Sequence, residues 1–342
     1  MSKLKREFVN FALPLFERQI VYLFMKNLLK FLFLPVFAFA QNVDLVINDL
    51  ILKQEYENAL KLCVGMKKSD SLFFTAQIEY SKLVDYEAYE TENGKKLIAV
   101  CENAVSQNLT LEDSALSFYR TAVLGGMLST IHIKRGAYLQ GISKTGDVQK
   151  NWEKLLDSKY SDEAVFALAL TQYYKITLFN KNPKNQGKLY AVLKNLQKSL
   201  SKNDDTSKKL YLSYIWVLQE QKLWDEAKKI SDKFFEKYPK NTMMLRACQE
   251  IFIDKKEIEE IKVCASNLYN LSAARNPKNY SDMLSARRAE IFALDLENKK
   301  TQACKTANSA IGESQDIPQE TKKTYWVKKH LETIKKYGAQ CK

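Results

Sequence analysis

The chain is 342 residues long, 46% hydrophobic and 27% charged, proportions that exclude a disordered polymer and supply enough apolar side chains for a sizeable core. With only 10 Gly and 6 Pro it lacks the turn residues that a β-sandwich needs, so an all-α fold is expected. The net charge of +13 comes largely from lysine pairs interleaved with Glu and Asp, as on solvated helix faces, and no nucleic-acid-binding module accompanies it.

The first segment with a recognisable pattern is Met25–Ala40, MKNLLKFLFLPVFAFA: Lys26 and Lys30, an apolar run, then Ala38-Phe39-Ala40 as a small-x-small cleavage site. This is the anatomy of a secretory signal, and cleavage would leave Gln41 first. The expected leader is therefore 1–40, with Met25 as an alternative start because Met1–Phe24 makes an unusually long n-region. The run Phe31–Ala40 is too short to span a bilayer, so no stable membrane span is expected after cleavage. Uncleaved anchoring and a cytosolic fate are the alternatives. The residue immediately after Ala40 is Gln41 and not a cysteine, so a lipid anchor is not indicated.

Residues 41–342 are expected to form one domain built from about seven helix pairs. Taken in order these are Asn42–Lys67, Ser71–Gln107, Thr110–Asp157, Ser161–Ser201, Asp205–Tyr238, Asn241–Ala273 and Asn279–Ile311, followed by a capping helix Gln319–Tyr337. Thr110 with Asp113 has capping-box spacing, Ser161 and Asp162 suit the start of a helix, and Pro318 suits a first helical position. The division rests on a unit of 34 residues that starts at Lys208, KKLYLSYIWVLQEQKLWDEAKKISDKFFEKYPKN, with an apolar first helix, a short turn, a second amphipathic helix and a late proline. Its Tyr211, Tyr214, Leu218, Trp224, Ala227 and Pro239 resemble a tetratricopeptide (TPR) repeat, while Ile215 and Phe234 stand where that family has small residues. The frame continues through Leu245, Cys248, Phe252, Ile258, Ile261 and Leu268. It continues again through Leu284, Ile291, Leu294, Ala303, Ala307 and Ala310. Upstream, Leu52–Cys63 and Trp152–Tyr174 repeat the pattern loosely. The resemblance implies a right-handed superhelical stack of antiparallel helix hairpins (a TPR-like α-solenoid) with a C-terminal capping helix.

In the family, partners lie in a groove lined by the first helix of each pair. The resemblance implies groove positions at Leu212, Trp216 and Gln219, then Arg246, Glu250 and Ile253, then Arg288, Phe292 and Asp295. Trp216, Arg246, Glu250, Arg288 and Phe292 are the candidate partner-binding residues, since aromatic and arginine side chains dominate interface energetics. A Trp or Phe on a helix is also an ordinary core residue.

The six cysteines contain no CxxC and only His132 and His330 are available as imidazole ligands, so buried thiols or structural bridges are expected rather than a metal centre. On the helix register, Cys248–Cys264, Cys304–Cys341 and Cys63–Cys101 are the candidate bridges. Neither GxxxxGK[ST] nor GxGxxG occurs, and no histidine has a catalytic companion. No enzyme activity and no cofactor are expected. The expected function is an extracytoplasmic protein- or peptide-binding scaffold that assembles or positions an envelope complex. The alternative is an accessory protein of a periplasmic solute-uptake system that binds a small ligand or a solute-binding protein.

Overall fold

The computed structural model describes residues 41–108, 111–179, 186–200 and 205–341. The leader and Thr110 lie outside these. The described residues form sixteen α-helices and no strand: α1 Gln41–Leu52, α2 Tyr56–Leu62, α3 Lys68–Asp85, α4 Glu92–Asn108, α5 Ser114–Lys134, α6 Tyr138–Glu153, α7 Ser161–Phe179, α8 Gln186–Ser199, α9 Asp205–Glu220, α10 Trp224–Phe235, α11 Thr242–Lys255, α12 Ile258–Ala273, α13 Tyr280–Leu296, α14 Lys300–Glu313, α15 Gln319–Lys322 and α16 Tyr325–Ala339.

Each helix starts and stops for local reasons. Asp113 caps α5 by accepting from the Leu116 N–H at 3.0 Å, and Asn241 caps α11 by accepting from Met244 N–H at 2.9 Å. The turns within pairs repeat one design. Gln54, Gly136, Lys222, Lys256 and Asn298 all have positive φ and all stand two residues before the next helix. In each turn the following N–H reaches back five residues, as from Glu55 to Leu50, Ala137 to His132, Leu223 to Leu218, Glu257 to Phe252 and Lys299 to Leu294. That bond satisfies a carbonyl that the ending helix leaves open, and the left-handed residue reverses the chain. The expected capping helix is broken in two: Pro318 is the residue before α15 rather than its first, and Lys323-Thr324 separates α15 from α16.

Consecutive helices pack on one another along the chain. One core cluster runs from Ile47 to Ala293 and a second from Leu284 to Ile334. The periodic residues are its substance: Tyr211, Tyr214, Ile215, Leu218, Ala227, Phe234, Leu245, Ile261 and Leu268 are all buried. Ala303, Ala307 and Ala310 are fully buried on α14, where side chains no larger than methyl let α13 and α16 approach closely. Cys304 and Cys341 form a disulfide that ties the end of α16 to α14.

The other two expected bridges are absent. Cys63, Cys101, Cys248 and Cys264 are buried free thiols. Cys248 faces the Ser231 hydroxyl, whereas the Cys264 thiol points to the Leu245 carbonyl, 3.8 Å away and one turn earlier on the same helix as Cys248. Cys63 donates to the Ala59 carbonyl at 3.7 Å, and Cys101 is sealed within α4. Burial pushes the thiols of Cys101 and Cys264 up to about 12, leaving them unreactive.

The chain also meets itself end to end. Side chains and backbone of residues 49–92 bond to residues 238–325, and this seam positions the site described next.

Candidate functional site: a cleft at the seam between the two ends of the chain

The seam is polar because it is built from the ends of helices, where backbone groups lack helical partners. Tyr238 donates to Asp49 at 3.1 Å, Asn241 to the Leu52 carbonyl at 2.8 Å, and the Thr242 N–H to Gln54 at 3.0 Å. Past α3, the left-handed Glu87 turns the chain into a short loop. Arg135 pins that loop by donating to the carbonyls of Tyr89 at 2.7 Å and Thr91 at 2.9 Å. Gly94 lies so close beneath it that a Cβ would stand 2.1 Å from the Tyr89 oxygen.

The end of α3 and this loop deliver Asp85 and Glu87 to two arginines from far along the chain. Arg246 pairs with Asp282 at 2.6 Å and with Glu87 at 3.0 Å, and donates to the Asp85 carbonyl at 2.7 Å. Arg275 pairs with Asp85 at 2.6 Å, and Ser281 donates to Glu87 at 2.6 Å. Burial pushes the Asp282 carboxyl up to about 6, with Arg246 pulling in the opposite direction. Burial alone would weaken the hold of Arg246 on its proton, but Asp282 and Glu87 outweigh it, so the guanidinium stays charged.

This accounts for Arg246 differently from the sequence expectation. The residue is buried and its donors are taken by the seam, so it holds the fold closed instead of facing a groove. Glu250 and Arg288, from α11 and α13, pair with each other. Trp216 and Phe292 are half-buried against the main core. Of the five candidates the structure joins Glu250 and Arg288 directly, and Phe292 follows Arg288 one turn later on α13. His330, from α16, is buried beside Arg246 and Arg288 and stacked on Trp326 at 5.7 Å. Burial and the two arginines hold its imidazole well below the usual histidine range. His132 is half-buried on α5.

Beside the ion pairs the seam opens into a cleft of about 620 Å³. One wall is α3 and α4, which contribute Thr75, Glu79, Lys82, Leu83, Lys96, Leu97 and Val100. The other is the turn Pro277–Ser281 and the segment around α15, with Tyr280, Glu320 and Thr324. Residues 75, 79, 82, 83 and 86 share one face of α3 by helical periodicity. The floor is aliphatic and the rim is charged. Lys82 is held by Glu57 at 2.7 Å, while burial pushes the Glu79 carboxyl upward. Sequence reasoning had no signal for this site, because its walls are separated by about 200 residues and neither carries a motif.

Among the described residues no group of His, Cys, Asp and Glu could hold a metal ion, and no helix is long and apolar enough to cross a membrane. Comparison with known proteins finds no family model that matches the sequence, and no curated protein or solved structure similar to the chain.

Proposed function

We propose that the protein is a helical binding scaffold that holds a segment of a partner protein in the seam cleft and thereby assembles or positions a complex of the cell envelope. The observation that carries this reading is the cleft itself: open, aliphatic at its base, charged at its rim, and walled by both ends of the chain. Such a surface suits an extended segment with alternating apolar and polar side chains. An extracytoplasmic setting is supported by the leader pattern at Met25–Ala40 and by the Cys304–Cys341 disulfide, since such bonds persist in oxidising compartments. The helix register that resembles TPR proteins supports a binding role by analogy. Glu250, Arg288, Trp216 and Phe292 remain a secondary contact surface in this reading.

The cleft volume also falls within the range of about 300 to 1,000 Å³ typical of small-molecule sites, which favours the solute-handling alternative as the second reading. One experiment separates them. Tagged protein is isolated from its native envelope after mild cross-linking, and both its partners and its N-terminus are identified by mass spectrometry. A recurrent protein partner that is lost with Leu97→Asp, in a variant that remains folded, together with an N-terminus at Gln41, is the expected result. A co-purifying small molecule without a protein partner overturns the scaffold reading in favour of solute handling.

A further inference from the structure

The cleft carries more information than its volume, because its charges are unevenly satisfied. Lys82 already has Glu57, and Glu320 accepts from the Glu92 N–H at 2.8 Å. Glu79 differs. It is half-buried on the α3 wall, one turn from both Thr75 and Leu83; among the described residues it accepts no hydrogen bond, and Lys82, the cation whose charge acts on it, is already engaged by Glu57. A carboxylate partly removed from water and bonded to no donor loses solvation that an incoming cation or donor restores. Its neighbours define which cation. Leu83, Leu97 and Val100 form an aliphatic strip beside it, and Lys96 and Lys278 stand exposed at the rim.

We propose that Glu79 receives a primary ammonium group carried on an unbranched aliphatic stem, in particular the side chain of a lysine next to an acidic or neutral residue of the partner. The stem lies along Leu83, Leu97 and Val100, where four methylenes bury well. The ammonium meets a carboxylate that is partly withdrawn from water, where a charge-assisted bond is stronger than at a fully exposed surface. The two rim lysines select against polycations and favour an acidic neighbour beside the inserted lysine. The upward displacement of the Glu79 carboxyl by burial agrees with a site prepared for a cation, since a perturbed carboxyl in a cleft is characteristic of binding sites.

The inference rests on the scaffold reading for the source of the lysine, and the test keeps the two apart. The probes are the peptide acetyl-Glu-Lys-Leu-amide, its Nε-acetyl-lysine form, free lysine and spermidine, titrated calorimetrically against the full chain and against Glu79→Gln. The unmodified peptide should bind, and either Nε-acetylation or Glu79→Gln should weaken it by roughly tenfold or more. Glu79→Gln should leave the acetylated peptide unaffected. Glu79→Gln is isosteric and half-exposed, and its unfolding temperature confirms that the fold is intact. A second variant, Lys96→Ala with Lys278→Ala, should raise spermidine binding. Equal binding of both peptides, or no change on Glu79→Gln, overturns the ammonium site. Free lysine binding as tightly as the peptide supports the ammonium site while overturning the scaffold reading beneath it.

Discussion

The interior of the helix stack and the seam between its ends are held by opposite means. Within the stack, neighbours in sequence bury aliphatic and aromatic side chains against one another, with Ala303, Ala307 and Ala310 setting the closest approach. Across the seam, residues far apart in sequence meet through Arg246, Arg275, Asp85, Glu87 and Asp282, with hydrogen bonds from Asn241, Thr242, Asn279 and Ser281. Apolar packing is forgiving in direction, whereas a buried ion network stabilises only when every member is in place. The stack is therefore robust to single changes at its surface, and the seam is sensitive to the loss of one group.

The sharpest way to break this contrast is Arg246→Ala, which leaves Asp282, Glu87 and the Asp85 carbonyl facing one another without their cation. Denaturant unfolding should show a loss of about 3 to 5 kcal/mol. A loss under about 1 kcal/mol would mean that water replaces the guanidinium freely and that the seam is not cooperative.

Next in size is the covalent tie at the end of the stack. Cys304→Ser should cost about 2 to 4 kcal/mol by restoring freedom to the unfolded chain. Cys248→Ser combined with Cys264→Ser should leave the non-reduced mass pattern of bridges unchanged.

A pH series probes the His330 edge of the seam. Burial, Arg288, Arg246 and Lys329 hold the folded imidazole below its ordinary 6.5, so as pH falls beneath 6.5 the unfolded chain takes up a proton that the folded chain refuses. Stability is complete above 6.5 and should fall by up to about 1.4 kcal/mol per pH unit below it. Asp282 acts with the opposite sign: its folded carboxyl, pushed from 3.8 up to about 6, favours the folded state increasingly as pH falls through 6. The difference between the wild type and His330→Gln isolates the histidine. No difference between pH 7.5 and 5 would refute its burial as a neutral ring.

The smallest expected effect lies on the outer face of the stack. Lys228 and Asp232, one helical turn apart on α10 and both exposed, should contribute about 0.3 to 0.5 kcal/mol, measured as the loss on Lys228→Ala. A larger loss would contradict the view that the stack derives its stability from its apolar interior.

The contrast also explains what the sequence made legible. Helix pairs were readable because the apolar period is local and repeats, and the boundaries from Asp205 to Ala273 fall within a few residues of those observed. The Cys304–Cys341 bridge was readable from helix register. For Cys248 and Cys264 the register gave the level along the helices but not the rotation about them, and rotation turns the thiols toward Ser231 and Leu245. Arg246 reads as a groove residue from its position on α11, whereas the groups that claim it, Asp282 36 residues later and Glu87 and the Asp85 carbonyl about 160 residues earlier, stand in ordinary-looking sequence. The cleft was illegible for the same reason.

One consequence of the seam concerns the order in which the molecule can form. Pairing within the stack joins residues a few tens of positions apart, whereas the bonds across the seam join residues 157 to 235 positions apart. Closing a loop of that length costs about 1.5 kcal/mol more in chain entropy than closing one the size of a single helix pair. Contacts of such long sequence separation form late, after local pairs have given the chain its course. During synthesis α1 to α3 emerge with their polar edge unmatched and wait for α11 to α13, so the polarity that makes the seam costly to lose also keeps the waiting edge soluble.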